Sequence, residues 1–195
     1  MGVVAYFTAE IGLWSELHTY SGGLGVLAGD HVKSAADDEL PLVGVTLLYR
    51  RGYGRQHLDQ NGIQTETYRD LDPAQHLKDT GVILSLPLDG TELLARVWKA
   101  EITGVTGHTV PVFFLDTFHP ENSERHLNLG LTLYGGDDWV RIRQEYLLGV
   151  GGVRLLEQMG YDVDGLHLNE GHCTFALLEM LGKGWSREEL AKRVL

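Results

Sequence analysis

A run of glycines near the start of the chain has the residue types of an anion-binding turn. Residues 21–25 (SGGLG) follow a short apolar segment rich in β-forming residues and precede a helical pattern that begins near Val26. Glycines allow a ligand to approach the backbone, and a helix start offers unpaired N–H groups and a positive dipole end, so phosphate suits this position. The spacing matches neither the dinucleotide fingerprint nor the Walker loop. Spacing alone also leaves open a purely structural tight turn.

A second polar cluster lies in residues 167–172 (HLNEGH), at the predicted carboxyl end of a strand. Ligands of open α/β sheets bind at such ends. Asn169 and His172 are therefore candidate ligand-binding residues, or residues that cap the following helix. The two histidines lack the shared helical face of a metalloprotease motif, so no metal site is predicted.

Three other features have a structural and a functional interpretation. Residues 149–152 (GVGG) follow a helical pattern and not a strand, which favours close packing over a cofactor loop. Arg141, Arg143 and Glu145 fit either an anion clamp or a solvated helix face. Cys173 is the single cysteine, so it forms no intramolecular disulfide and is interpreted as a buried filler in a reducing compartment.

These features require an α/β framework to position them. Apolar runs predict strands at 3–7, 42–48, 112–115 and 166–168, and helical spacing predicts helices at 26–39, 137–159, 174–181 and 187–195. The stretch from about residue 52 to 102 is polar over residues 52–68, contains short strand-like runs at 82–84 and 93–102, and is interpreted as a β-rich insertion. Residues 93–102 alternate apolar and polar positions, as a half-exposed antiparallel strand does. The predicted fold is a three-layer, Rossmann-like α/β domain with a mainly parallel sheet, spanning residues 1–195 as one domain.

The amino-acid composition and net charge limit the classes of binding partner that the chain is expected to have. The formal net charge is −11, with 43% hydrophobic and 22% charged residues, and the chain has no basic run. These values fit an ordered globular protein and argue against nucleic-acid or anionic-membrane partners. No secretory signal opens the chain and no apolar run approaches the ~20 residues that span a bilayer, so a cytoplasmic location is expected.

Four motifs together give the chain a recognisable resemblance. They are residues 20–30 (YSGGLGVLAGD), 48–53 (LYRRGY), 133–145 (LYGGDDWVRIRQE) and 167–172 (HLNEGH). In this order they resemble the shorter bacterial and archaeal α-glucan (glycogen) phosphorylases over nearly the whole chain. The resemblance implies the N-terminal Rossmann-like domain of the GT-B arrangement, in which a cleft between two domains carries out glucan phosphorolysis with pyridoxal phosphate.

The resemblance also implies roles for individual residues. Backbone amides of Gly22, Gly23 and Leu24 are expected to meet the phosphate of glucose 1-phosphate. His172 is expected to hydrogen-bond the glucosyl unit, with Asn169 shaping the same pocket. Asp137 lies near the family's mobile loop and is a candidate gating residue. The implied partners are glucose 1-phosphate or phosphate, an α-glucan, and a C-terminal half or a second copy of the chain.

Two departures from the family pattern limit these roles. The family's N-terminal extension and its C-terminal cofactor half have no counterpart in the sequence, and none of the lysines stands in the cofactor-lysine context. The chain by itself is therefore expected to hold no complete catalytic set, no pyridoxal phosphate and no phosphorylase activity.

Two other functions remain open at this point. One is a non-catalytic module that binds sugar phosphate or glucan. The other is half of a nucleotide-sugar transferase similar to glycogen synthase, which shares the fold and a related glycine turn.

Overall fold

The structure is a computed structural model that describes residues 2–195. Within this range the strands are β1 (Val3–Thr8), β2 (Leu42–Leu47), β3 (Arg55–Leu58), β4 (Gln64–Thr67), β5 (Lys78–Leu88), β6 (Thr91–Thr103), β7 (Thr109–Asp116) and β8 (Val163–Asn169). The α-helices are α1 (Gly23–Asp37), α2 (Glu124–Leu127), α3 (Asp138–Tyr146), α4 (Gly152–Gln158), α5 (Phe175–Gly182) and α6 (Arg187–Arg193). Short 3₁₀ turns lie at Pro73–Gln75, Asn128–Gly130 and Gly171–Cys173, and a π-helical segment lies at Leu147–Gly151.

Six strands form the central sheet in the order β5-β6-β7-β2-β1-β8. Strands β7, β2, β1 and β8 are parallel neighbours, and β5 and β6 run antiparallel at one edge. All four strands that the sequence predicts as parallel lie in the parallel part. The predicted mixed α/β class with a mainly parallel sheet is confirmed.

The β-rich stretch between about residues 52 and 102 is present, and its strands belong to two different sheets. Strands β3 and β4 form a separate antiparallel pair in which every residue is exposed. Strands β5 and β6 instead extend the central sheet, because β6 pairs with β7 from Arg96–Asp116 to Thr103–Thr109. The alternation noted at residues 93–102 thus belongs to β6, which lies between β5 and β7 in the main sheet.

Helices cover both faces of the sheet and make three layers. On one face α1 packs through Val32 and Ala36 in a core that includes Phe114. On the other face α4 and α5 join a core that includes Phe7 and Leu155. Neighbouring residues of a strand point to opposite faces, so β1 and β7 contribute apolar side chains to both cores.

The glycines at 149–152 serve close packing, as the sequence predicts. A Cβ atom at Gly149 would collide with the backbone of Ala176, and one at Gly152 would collide with the ring of Phe7. The backbone between α3 and α4 adopts the wider π-helical turn over Leu147–Gly151. Small residues therefore let this helical stretch lie directly against α5 and the sheet.

No helix within residues 2–195 combines the length and the apolar character needed to cross a lipid bilayer.

Three aromatic rings pack together where α1 meets β1 and β8. The ring centroids are 4.7 Å apart for Tyr6–His31, 4.9 Å for Tyr6–His167 and 4.8 Å for His31–His167. Nε2 of His31 is buried and has no hydrogen-bond partner among residues 2–195. Burial lowers the pKa of both histidines, and for His167 the charge of His31 lowers the pKa further.

This cluster predicts a loss of stability in mild acid. In the folded state the pKa of each histidine is below its ordinary value of 6.5. At pH values near and below 6.5 the unfolded chain therefore binds more protons than the folded chain. The free energy of unfolding is therefore expected to fall as the pH decreases through and below 6.5. Urea denaturation between about pH 5 and 8 measures the slope.

The variant His31→Phe/His167→Phe is expected to flatten this slope. Part of the slope is expected to remain in this variant, because burial also lowers the pKa values of His18 and His126. The exposed His76 provides the control, and His76→Gln is expected to leave the slope unchanged. An unchanged slope in the double variant would assign the acid sensitivity to other groups.

Candidate functional site

A cavity of about 100 Å³ opens at the edge of the sheet where the parallel strands end. Its position matches the carboxyl edge at which open α/β sheets bind ligands. It is lined by Ala9, Leu47, Tyr49, Tyr134, Gly135, Gly136, Asp137, Asp138, Arg141, Gln144, Glu145, Leu148 and His172. The walls therefore combine an apolar floor from the strand ends with charged side chains from α3.

The N-terminal turns of α3 supply most of the polar wall. The carboxylate of Asp137 accepts a hydrogen bond from the backbone N–H of Val140 at 3.1 Å, which caps the helix. Asp138, Arg141 and Glu145 then follow at helical spacing on the face toward the cavity. The predicted gating residue Asp137 thus lines the cavity and also fixes the start of α3.

His172 also lines the cavity and contacts α3. Its Nε2 lies 2.8 Å from Nη2 of Arg141. A guanidinium only donates, so Nε2 is the acceptor and the ring proton belongs on Nδ1. Nδ1 is buried and has no hydrogen-bond partner among residues 2–195. An orphaned buried nitrogen of this kind is satisfied when a ligand or water oxygen reaches it.

Tyr134 connects these groups. Its ring centroid lies 6.1 Å from that of His172, and the guanidinium of Arg141 lies 5.8 Å from it. Burial raises the pKa of Tyr134 to about 12, and the charge of Glu10 and a hydrogen bond to Glu10 contribute in the same direction. Tyr134 is therefore a neutral hydroxyl donor at neutral pH.

Glu10 joins the cavity to the glycine turn. Its buried carboxylate accepts hydrogen bonds from the backbone N–H of Ser21 at 2.7 Å and of Gly25 at 3.1 Å. Two of the N–H groups around the start of α1 are thus already bound to an internal anion. Hydrogen bonds from N–H groups to a carboxylate are stronger than those between neutral groups.

The glycine turn itself is open toward solvent. Gly22 has an extended backbone just before α1, and Gly23 is the first residue of that helix. A Cβ atom at either position would meet nothing within 4 Å, whereas one at Gly25 would collide with Tyr20. Packing within residues 2–195 thus explains Gly25, and it leaves Gly22 and Gly23 exposed beside the N–H groups of the helix start.

Asn169 lies behind the cavity. It is the last residue of β8 and is buried, and its Nδ2 donates to Oγ1 of Thr8 at 3.1 Å. Oγ1 of Thr8 in turn donates to the carbonyl of Glu10 at 2.7 Å. Asn169 therefore holds the ends of β1 and β8 together and does not contact the cavity in this structure.

The candidate residues from the sequence are thus distributed over three places. His172 and Asp137 line one cavity, Gly22, Gly23 and Leu24 lie beyond Glu10, and Asn169 supports the strand ends. Glu10 and Tyr134 were not predicted. An isolated acidic residue between a buried strand and a glycine turn was the available signal for Glu10.

The two arginines of α3 have different environments. Arg141 lines the cavity, is half exposed and lies 3.8 Å from Glu145, so it combines a cavity-lining position with the local ion pair of a solvated helix face. Arg143 is bound by the carboxylate of Asp89 through two contacts of 2.6 Å and stacks on Trp139. Arg143 is thus a structural residue outside the cavity.

Within residues 2–195, no group of three or more histidine, cysteine or acidic residues is arranged to hold a metal ion. The structure gives no lysine in the cavity wall either. Lys99 and Lys183 are instead paired with Glu101 and Glu157.

Comparisons with known proteins give a consistent set of relatives. The chain is 42% identical over 191 residues to glycogen phosphorylase of Mycobacterium tuberculosis, and the aligned region covers 91% of this chain and 22% of that protein. It is 36% identical over 193 residues to maltodextrin phosphorylase of Thermococcus litoralis, covering 95% of this chain and 22% of that protein. It is 32% identical over 201 residues to glycogen phosphorylase of Aquifex aeolicus, covering 98% of this chain and 28% of that protein. The chain thus spans about a quarter of the length of these relatives, and no protein-family model matches it.

Proposed function

The chain is homologous to one region of the glycogen and maltodextrin phosphorylases, and from this premise we propose that it is the N-terminal, GT-B-type domain of such an enzyme. In this proposal it contributes the contacts to the glucosyl unit and to phosphate during phosphorolysis of α-1,4-glucan to glucose 1-phosphate. The observation that carries the proposal is identity of 32–42% over 91–98% of the chain. We propose a cytoplasmic location on the same basis.

The geometry supports separate binding roles for the glycine turn and for the cavity. The exposed N–H groups at Gly22, Gly23 and Leu24 bind phosphate, because a helix start is electropositive and the glycines leave the approach open. His172 meets the glucosyl unit, because it lines the cavity with one buried nitrogen that lacks a partner. Arg141 beside it holds a positive charge at the cavity wall.

The residues of this chain do not fit pyridoxal phosphate. A Schiff base needs a lysine in the site, and the cavity wall described above contains none. We therefore propose that these 195 residues hold no pyridoxal phosphate and that phosphorylase activity requires residues from a C-terminal half. A second copy of the chain is the other partner that the proposal admits.

Titration of the isotopically labelled chain with glucose 1-phosphate tests the proposal. We expect amide shifts at Gly22, Gly23 and Leu24 and side-chain shifts at His172, with a Kd of about 1 mM or weaker, or about 4 kcal/mol. The open cavity and the net charge of −11 both limit affinity for a phosphate dianion. His172→Ala is expected to weaken binding about three- to tenfold, the value of one hydrogen bond. Gly23→Leu is expected to weaken it further by covering the N–H groups.

Two variants control for general effects of these substitutions. Gly182 also has open space around its Cβ position, at the end of α5, so Gly182→Leu is expected to leave binding unchanged. The exposed His76 is the matching histidine, and His76→Ala is expected to do the same. Shifts that cluster elsewhere, or binding indifferent to both site variants, would contradict the proposed site.

A further inference from the structure

The guanidinium of Arg141 has three neighbours at the cavity wall. Its Nε lies 3.8 Å from the carboxylate of Glu145, one turn further along α3, and its central carbon lies 5.8 Å from the ring centroid of Tyr134. Its Nη2 lies 2.8 Å from Nε2 of His172. Of these three contacts, the one to His172 has the length of a good hydrogen bond, so it sets the relative orientation of the two side chains.

This hydrogen bond decides which nitrogen of His172 carries the ring proton. A guanidinium is always charged and has only donors, so Nε2 bonds to it as an acceptor and the proton is on Nδ1. Nδ1 is buried without a partner among residues 2–195, and a buried donor without an acceptor is costly. Without Arg141, a proton on Nε2 would instead face the cavity, where water can accept it. Arg141 therefore imposes a tautomer that His172 would not favour by itself.

The tautomer sets what His172 offers to a ligand. Because Nε2 is engaged by Arg141, the nitrogen that remains for a ligand is Nδ1, and in this tautomer it is a donor. A donor pairs with a lone pair on a hydroxyl oxygen, whereas the other tautomer would need the proton of that hydroxyl. A donor whose direction is set before the ligand arrives needs no reorganisation on binding.

We propose that Arg141 is a positioning residue that acts through His172. It fixes the ring and holds His172 in the Nδ1–H tautomer, so that the histidine meets an oxygen of the glucosyl unit as a hydrogen-bond donor. The partner of one ring nitrogen sets the state of the other in functional histidines generally. The identity of the ligand rests on the proposed function, and the tautomer rests on the contact between the two side chains.

NMR of the side-chain nitrogens in the ligand-free chain measures the tautomer. Spectra are recorded at about pH 8, where imidazole side chains are mostly neutral. In the wild type we expect His172 to carry its proton on Nδ1. In Arg141→Met, which keeps the length of the side chain and removes its donors, we expect a mixture in which the Nε2–H form predominates. Arg141→Lys keeps a charged donor and is expected to restore the Nδ1–H form at least in part.

Two controls report on general disturbance of the fold. His31 and His167 appear in the same spectra, pack together away from the cavity wall, and are expected to keep their shifts in every Arg141 variant. Arg187 is exposed at the start of α6, so Arg187→Met is expected to leave the tautomer of His172 unchanged.

A double-mutant cycle on the affinity for glucose 1-phosphate separates positioning from attraction by charge. At about 0.15 M salt, which screens exposed charges, Arg141→Met is expected to weaken binding about three- to tenfold, the value of one hydrogen bond. In the His172→Ala background the same change is expected to weaken binding less than about twofold, because the residue through which Arg141 acts is gone.

Each other result overturns a defined part of the inference. A proton on Nε2 in the wild type, or a tautomer unchanged in Arg141→Met, would show that Arg141 does not control His172 and would leave the proposed function intact. Equal losses of affinity in both backgrounds, or affinity restored by Arg141→Lys without the Nδ1–H form, would assign the effect to charge. Absence of glucose 1-phosphate binding in a wild-type chain with the Nδ1–H form would overturn the proposed function and the ligand half of this inference, and would confirm the control of the tautomer.

Discussion

Replacing Asp116 with alanine is expected to lower the free energy of unfolding by about 3–5 kcal/mol. Asp116 ends β7, is fully buried, and accepts from Nη2 of Arg50 at 2.7 Å, Nε1 of Trp98 at 2.9 Å and the N–H of Phe118 at 3.0 Å. Its removal leaves a mostly buried guanidinium and a buried indole N–H without an acceptor. Urea denaturation followed by tryptophan fluorescence measures the loss.

The neighbouring ion pair provides a matched control. Arg51 pairs with Asp70 at 3.0 Å, and the Asp70 side chain is 82% exposed. Asp70→Ala is expected to cost less than about 1 kcal/mol, because exposed ion pairs contribute little. Equal losses in the two variants would show that burial of the Asp116 network does not set its contribution.

Replacing Glu10 with alanine is expected to destabilise the chain by about 2–4 kcal/mol and to disorder the glycine turn. The N–H groups of Ser21 and Gly25 lose their carboxylate acceptor, and leaving the buried Gly25 donor unsatisfied alone costs about 1–3 kcal/mol. Denaturation gives the free energy, and amide hydrogen exchange at Ser21 and Gly25 reports on the turn.

The exposed Glu121 serves as the control for Glu10, and Glu121→Ala is expected to change neither quantity. Protection of Ser21 and Gly25 that persists in Glu10→Ala would mean that the turn is held by its own backbone. In that case Glu10 would be dispensable for its shape.

Much of the framework follows from local sequence patterns. Apolar runs place β1 and β2 within one residue of their observed ends, whereas β7 and β8 each begin three residues before the predicted start. Helical spacing places α1 and the α3–α4 stretch. The same patterns predict that the glycines at 149–152 pack closely, because glycine in a helix is costly unless a neighbour needs the space.

The site is less predictable because its contacts are distant in sequence. Glu10 binds N–H groups 11 and 15 residues away, and Arg141 meets His172 across 31 residues. No helix or strand period relates such positions, so only the fold brings them together. Asn169 shows both aspects: its position at a strand end follows from the local pattern, whereas its partner Thr8 on β1, 161 residues away, does not.

The π-helical turn at Leu147–Gly151 changes the angular phase between two helices that would otherwise form one continuous helix. A regular α-helix advances 100° per residue, so one additional residue in a turn rotates everything after it by about that angle. The face of α3 that lines the cavity is thereby rotated relative to the face that α4 would present if the two formed one regular helix. The wider turn therefore sets the offset at which α3 presents Arg141 and Glu145 to the cavity while α4 presents Leu155 to the core.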